Sequence, residues 1–379
     1  MSGGARRLKV LHFISASTPS HYLCSFAEFI DRERTDFTIA SLDDGRGPLF
    51  AEIQKRNTPT FALDCAQRKD FPKAIWKLAR ILRREKFDVI QVHLFDASLV
   101  GLTAANLART PLKIFSGHHS HEIVLKNNRT AFYLDCLATR VLADRIIVHS
   151  LEMRDDLLRT EKVPLEKMKV VHLGFDLSHW RPSVAGRARV RAEFDLGDQK
   201  VLGAVGRLFW VKNYPILLEA FAQIARQRSD LTLLIVGDGP ERASLEAQIA
   251  RLGLKRRVIL AGARKDIVDV MSAMDLFVHP SQSESFGQVI VEAFTLGKPM
   301  VATSVGIARE LIENGQNGFL VPPGEGDSFA RTLEKMIALH EKWPEMGREG
   351  QRRATGFSAQ EMVAAHEKLY REWSGVVPA

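Results

Sequence analysis

Short apolar runs rich in Val, Ile and Leu recur along the chain with helical patterns between them, and this alternation restricts the fold more than any other feature. The first series is Leu8 to Ile14, Phe37 to Leu42, Asp88 to Leu94, Leu112 to Gly117, Arg145 to Ser150 and Lys169 to Gly174. The second is Val201 to Gly206, Leu231 to Gly237, Val258 to Ala263, Leu276 to Pro280, Pro299 to Thr303 and Gly318 to Val321. Runs this short and apolar suit strands covered by helices on both faces of a parallel sheet. The chain therefore reads as α/β, with two doubly wound parallel-sheet domains. Its 379 residues agree, since a domain takes roughly 150.

Asp176 to Asp195 contains Trp180-Arg181-Pro182 and Gly186, shows no clear period, and reads as the linker. The expected domains are 1–180 and 181–357, followed by a closing helix over 358–379. That helix carries Met362, Val363, His366, Leu369, Tyr370 and Trp373 at helical spacing, and its aromatic stripe is expected to pack back towards the first domain. Ligands of such sheets collect at the carboxyl ends of the strands, which places the expected site in a cleft between two facing domains.

Composition narrows the function classes. With 45% hydrophobic and 26% charged residues the chain is an ordinary globular one. The three cysteines, Cys24, Cys65 and Cys136, form no C-x-x-C pair, so neither a disulfide framework nor a zinc site is indicated, and a reducing cytoplasm is the expected location. The apolar run after Arg6-Arg7-Leu8-Lys9 contains His12 and is too short for a signal peptide. Ala97 to Ala108, the longest stretch without charge near an apolar core, is well under the ~20 residues of a membrane span. Most of the net charge of +8 lies before residue 180. A basic half of this kind fits nucleic acid, an anionic membrane or an acidic substrate. Nucleic acid would need interleaved stacking aromatics, and Trp76 alone does not supply them.

Three segments of the second half carry chemistry. Ser283-Glu284-Ser285-Phe286-Gly287-Gln288-Val289-Ile290-Val291-Glu292 follows a strand and opens an apolar helix, so free backbone N–H groups near Phe286 to Val289 form a phosphate-binding end. Glu292 is expected about two turns into that helix, and Glu284 and Glu292 suit hydroxyl groups on either side of a diphosphate. The bland alternative is a helix cap and a surface glutamate. Gly206-Arg207-Leu208-Phe209-Trp210-Val211-Lys212 turns sharply at a strand end and projects two cations, which are either poised for an anion or solvated. Val236-Gly237-Asp238-Gly239-Pro240 breaks a strand at two glycines, but G-x-G-x-x-G is absent, which disfavours a nicotinamide cofactor. A P-loop is absent as well. In the first half, Gly117-His118-His119-Ser120-His121 places histidines at a strand end without the further ligands that a zinc site requires.

Together these motifs resemble glycosyltransferase family 4, the retaining, nucleotide-sugar-dependent enzymes of the two-domain GT-B fold. The resemblance spans nearly the whole chain and rests on G-R-L-x-x-x-K at Gly206 to Lys212, V-G-D-G-P at Val236 to Pro240, and E-x7-E from Glu284 to Glu292. Leu173-Gly174-Phe175-Asp176, Leu296-Gly297-Lys298-Pro299 and Asn317-Gly318-Phe319-Leu320-Val321 add to it. The resemblance implies that Arg207 and Lys212 neutralise the diphosphate, helped by backbone around Phe286, Gly287, Gln288 and Val289. By the same resemblance Glu292 holds the ribose, Glu284 contacts the transferred sugar, and His118, or its neighbour His119, touches the reaction centre. Gly237, Gly262 and Arg264 belong to the expected nucleotide pocket, with the base read by backbone near Gly262 to Arg264.

The implied activity transfers a sugar from a nucleotide-diphosphate-sugar to a glycan, glycolipid or lipid-linked acceptor in surface polysaccharide or lipopolysaccharide biosynthesis. The expected cofactor is none, and D-x-D is absent, which fits an enzyme that uses no metal. A nucleotide-sugar epimerase and an inactive nucleotide-sugar-binding scaffold are the alternatives. The stretch Phe71 to Phe87 is a basic amphipathic helix, either packed as a sheet crossover or lying on anionic lipid, and the two are compatible.

Overall fold

The computed structural model describes residues 6–117, 128–178 and 180–375. The chain divides into two compact units, residues 1–176 with 357–379, and residues 177–356. The first contains a seven-stranded sheet of β1 (Leu8–Ile14), β2 (Thr35–Ser41), β3 (Thr60–Ala62), β4 (Val89–His93), β5 (Leu112–Ser116), β6 (Arg145–Val148) and β7 (Met168–Val170). Its order is β3-β2-β1-β4-β5-β6-β7, parallel throughout. The second contains β8 (Lys200–Val205), β9 (Leu231–Val236), β10 (Val258–Leu260), β11 (Leu276–His279), β12 (Met300–Thr303) and β13 (Gly318–Val321). These pair in the order β10-β9-β8-β11-β12-β13, again parallel.

All twelve apolar runs are strands. The thirteenth, β3, was not apparent because it is a three-residue edge strand without a buried residue, and an edge strand needs little apolar signal. The supposed linker also differs from expectation, since Val184–Glu193 is a helix. The Ser183 side chain caps it by accepting from the Gly186 N–H. Arg187 then donates to the carbonyls of Ser272 and Ala273 and pairs with Asp275 at 2.7 Å. Its anchors are charged, which is why no apolar period marked it.

The Phe71–Glu85 helix buries Ala74, Leu78, Ala79 and Leu82, so its apolar stripe packs as a crossover should, while its cations stay outside. No helix among the described residues is long and apolar enough to cross a membrane.

The closing helix, Ala359–Ser374, starts at a Ser358 cap and is built into the first unit. Its aromatic residues pack as expected, but two of its polar groups enter a buried chain of neutral side chains. His93 Nε2 lies 3.2 Å from His12 Nδ1, and His12 Nε2 lies 2.8 Å from the Tyr370 hydroxyl. That hydroxyl donates to Gln91 Oε1 at 2.5 Å, the Gln91 amide donates to Tyr22 at 3.0 Å, and Tyr22 lies 2.9 Å from His366 Nε2. One direction of donation satisfies every link: each of His93 and His12 donates from Nε2, and His366 accepts at Nε2 while Nδ1 donates to the Met362 carbonyl. The three histidines of this network are then neutral. His93, a strand-end residue in the sequence, is thus a member of this core.

Burial pushes the pKa of all these histidines down, His366 to about 3 and the adjoining His149 to about 4. Each is neutral when folded and charges on unfolding, so its contribution is present above the ordinary histidine value and is lost as pH falls towards these lowered values. Denaturant titrations of the whole chain should show the first unit losing several kcal/mol between about pH 6.5 and 4. A flat profile over that range would be inconsistent with neutral buried histidines.

Candidate functional site

Three strand ends of the second unit are joined through their backbones. Gly206 N–H donates to the Val236 carbonyl at 2.9 Å, Gly237 N–H to the Gly262 carbonyl at 2.9 Å, and Leu208 N–H to the Asp238 carbonyl at 3.0 Å. This stitching requires glycine at 237. Its φ is +139°, and a Cβ there would stand 2.0 Å from the Gly206 carbonyl oxygen. The loops after β8, β9 and β10 therefore form one continuous edge.

On that edge the loop after β8 closes with a 3-10 turn, Trp210–Lys212, and is held from beneath by the Tyr214 hydroxyl donating to the Gly206 carbonyl at 3.0 Å. The loop after β11 joins it through Gln282 N–H to the Val211 carbonyl at 2.7 Å. Lys212 and Glu284, distant in sequence, meet as a result: Lys212 Nζ is 2.5 Å from Glu284 Oε1. The same oxygen accepts from Ser281 Oγ at 2.7 Å, and His279 Nε2 lies 3.0 Å away. All three contacts fall on Oε1, and Oε2 has no partner among the described residues. The Glu284 side chain is only 11% exposed. Burial alone would raise its pKa, but His279 and Lys212 outweigh it and hold the carboxyl at about 2.

Two residues before this glutamate complete the cluster. Nothing in the sequence reading assigned His279 or Ser281 a role, although both stand at the polar end of a buried strand, and that position is the signal that could have found them.

Glu284 leads into the Gln288–Thr295 helix, whose N-terminal flank Gly287 is left-handed at φ +87°. Among the described residues no acceptor takes the N–H groups of Gly287, Gln288 and Val289, so the positive end of the helix keeps its donors unused. Phe286 is buried beneath, and its carbonyl accepts from Ile307 N–H at 2.7 Å. Because the helix begins only at Gln288, Glu292 lies one turn into it rather than two. Gln288 Nε2 donates to Glu292 Oε1 at 2.7 Å, so this glutamine holds the glutamate. Burial pushes the Glu292 carboxyl up to about 7 despite that hydrogen bond.

The remaining expected residues divide. Arg207 is exposed with its guanidinium 5.3 Å from the Phe209 ring. Gly262 receives the Gly237 N–H in the stitched edge. Arg264 spends its guanidinium on Asp266, at 2.8 Å for each of two contacts, and on Glu193, which leaves its backbone for any ligand. His118 and His119 lie outside the described residues.

The family profile described as "Glycosyl transferases group 1" matches residues 187–353, and that described as "Glycosyltransferase Family 4" matches residues 20–179. The 2-deoxystreptamine glucosyltransferase of Streptomyces kanamyceticus is 30% identical over 278 residues, 70% of this chain and 72% of the relative. The chain belongs to glycosyltransferase family 4. This glycosyltransferase is 33% identical over 187 residues to the alpha-D-kanosaminyltransferase of the same organism, a match spanning about half, 48%, of each. To the UDP-Gal:alpha-D-GlcNAc-diphosphoundecaprenol alpha-1,3-galactosyltransferase of Escherichia coli it is 28% identical over 328 residues, 82% of each chain. Among solved structures, Anabaena HepE in complex with UDP matches with a TM-score of 0.83 and 26% identity, over 96% of this chain and 100% of that one. The two parallel-sheet units are those of the GT-B architecture.

Gly237→Ala should cost about 2–4 kcal/mol in denaturant titrations, through the backbone clash and the positive φ together. Gly253→Ala, at φ +72° with no atom within 4 Å, should cost only about 1 kcal/mol. Equal losses at the two positions would mean that the stitched edge is not under this constraint.

Proposed function

We propose that this glycosyltransferase is retaining and metal-independent, and that it moves a sugar from a nucleotide-diphosphate-sugar to a glycan, glycolipid or lipid-linked acceptor. The observation that carries the reading is the meeting of Lys212 and Glu284 beside the open N-terminus of the Gln288–Thr295 helix. A UDP-sugar donor is supported by the UDP complex of the Anabaena structure and by the UDP-galactose of the E. coli relative. That relative's diphosphoundecaprenol acceptor supports cytoplasmic work in surface polysaccharide or lipopolysaccharide biosynthesis. The resemblance to family 4 supports retention.

In the transfer the bond between the sugar C1 and the diphosphate oxygen breaks, and its electron pair leaves with the nucleoside diphosphate. The acceptor hydroxyl oxygen bonds to C1, on the face the diphosphate leaves, and its proton passes to the departing phosphate. Negative charge grows on the diphosphate, so donors fixed before the reaction stabilise it most. An ammonium has three donors. Lys212 gives one to Glu284, which fixes its position, and turns the others to the diphosphate together with Arg207 and the N–H groups of Gly287 to Val289. Glu284 Oε2 accepts from a hydroxyl of the transferred sugar, and Glu292 accepts from the ribose. His118 is the residue the resemblance assigns to the reaction centre. Protein cations and backbone dipoles take the place of a divalent ion.

Two measurements test this. Glu284→Gln should lower transfer by on the order of 10²–10³-fold while leaving UDP binding measurable by calorimetry; transfer at the wild-type rate would remove Glu284 from the site. A carboxylate accepts a ribose hydroxyl better than a carboxyl does, so affinity for uridine, which carries no phosphate to titrate, should rise with pH through about 7, the value to which burial pushes Glu292. Glu292→Gln should erase that inflection, and its persistence would detach Glu292 from the ribose.

A further inference from the structure

Among the described residues eleven large apolar side chains are exposed, and ten of them belong to the first unit. They are not scattered there. The Arg129–Leu137 helix, continued by the π-helical turn Ala138–Leu142, turns Asp135, Ala138 and Thr139 inward, where Thr139 Oγ1 donates to Glu161 at 2.7 Å. Its outer face carries Tyr133 at 61% exposure, Leu137, and Val141 at 68%, on successive turns, with Leu134 beside them. Among the described residues nothing covers this second apolar face of a packed helix.

The Phe71–Glu85 helix lies in the same layer, beyond the Phe95–Ala108 helix against which both pack. Residues 71–86 hold six cations and one carboxylate. Trp76 stands 61% exposed among them, with the Arg80 guanidinium 4.6 Å from its ring. A groove of about 750 Å³ opens beside the helix, and its wall carries Trp76, Lys77, Arg80, Arg83 and Arg84 without a carboxylate. Lys77 donates to the Leu63 carbonyl at 2.9 Å and Arg83 to the Leu107 carbonyl, contacts that aim the cations without neutralising them. Of these four cations, only Arg84 has a carboxylate partner among the described residues, Glu85 at 2.8 Å.

We propose that this helical layer is a docking surface for an anionic phospholipid bilayer. The groove beside Trp76 takes lipid phosphates, and the Tyr133, Leu137 and Val141 stripe enters the boundary between headgroups and acyl chains. Charge complementarity selects this occupant. A second copy meeting the same face would set the cation cluster against itself, whereas a bilayer offers a plane of negative charge above an apolar layer. Tryptophan and tyrosine with arginine around them are side chains that settle at such a boundary. The surface shares no residue with the donor-side cluster, all of which belongs to the second unit, so docking and transfer can be measured apart.

The full chain should sediment with phosphatidylcholine vesicles containing phosphatidylglycerol, stay in solution with phosphatidylcholine alone, and be released from the acidic vesicles by high salt. Arg80→Glu/Arg84→Glu should weaken vesicle affinity by about tenfold or more, and Val141→Glu should weaken it comparably, with thermal midpoints unchanged because all three side chains are exposed. Failure of the wild-type chain to bind acidic vesicles at low salt would overturn the proposal. So would wild-type binding by the charge-reversed variant, or a stable dimer in solution that Val141→Glu dissociates, which would give the stripe to a second copy.

Discussion

Every strand pair in both sheets is parallel, and the chemistry of the chain depends on that constraint. Parallel neighbours must be joined by crossovers, so each strand ends on the same edge as the one beside it. Residues far apart in sequence are brought to one line of loops. In the second unit β8 and β11 lie side by side, which is why a lysine after one and a glutamate after the other meet although 72 residues separate them. The bond between the loops, from Gln282 to Val211, then fixes the distance at which they meet.

Two glutamates on one short segment are driven in opposite directions by their surroundings. Glu284 gathers Lys212, Ser281 and His279 onto one oxygen and stays ionised despite being buried. Glu292 has a neutral glutamine for its partner and is pushed towards protonation. The difference arises from what each helix turn or loop offers, since the side chains are identical. A permanently charged carboxylate can hold a lysine in place, whereas one pushed towards protonation responds to whatever reaches it.

Much of this was legible in the residues. The twelve apolar runs marked twelve strands because burial on both faces leaves no room for polar alternation, and the glycines of Val236 to Pro240 marked a turn that only glycine permits. The two cations and two glutamates were singled out from their places at strand and helix ends. What could not be read was contact. No spacing rule states that Lys212 would bind Glu284, that Gln288 would be occupied by Glu292, or that Arg264 would be taken by Asp266 and Glu193, since each depends on side chains brought together by the fold. The Val184–Glu193 helix escaped for a related reason, being held by arginines on carbonyl groups and carboxylates instead of by an apolar stripe. Buried histidines read as polar residues until a chain of neutral partners accounts for them.

The last helix has a consequence for how the molecule is made. A sheet that draws Tyr370 and His366 into its core stays unfinished while the ribosome is still adding the residues between, and its neutral histidines have no complete set of partners until the tail emerges. The second unit, uninterrupted in sequence, has all of its strands before then. The first unit is thus completed by residues made after the whole of the second, the reverse of the usual order in which earlier segments are finished first.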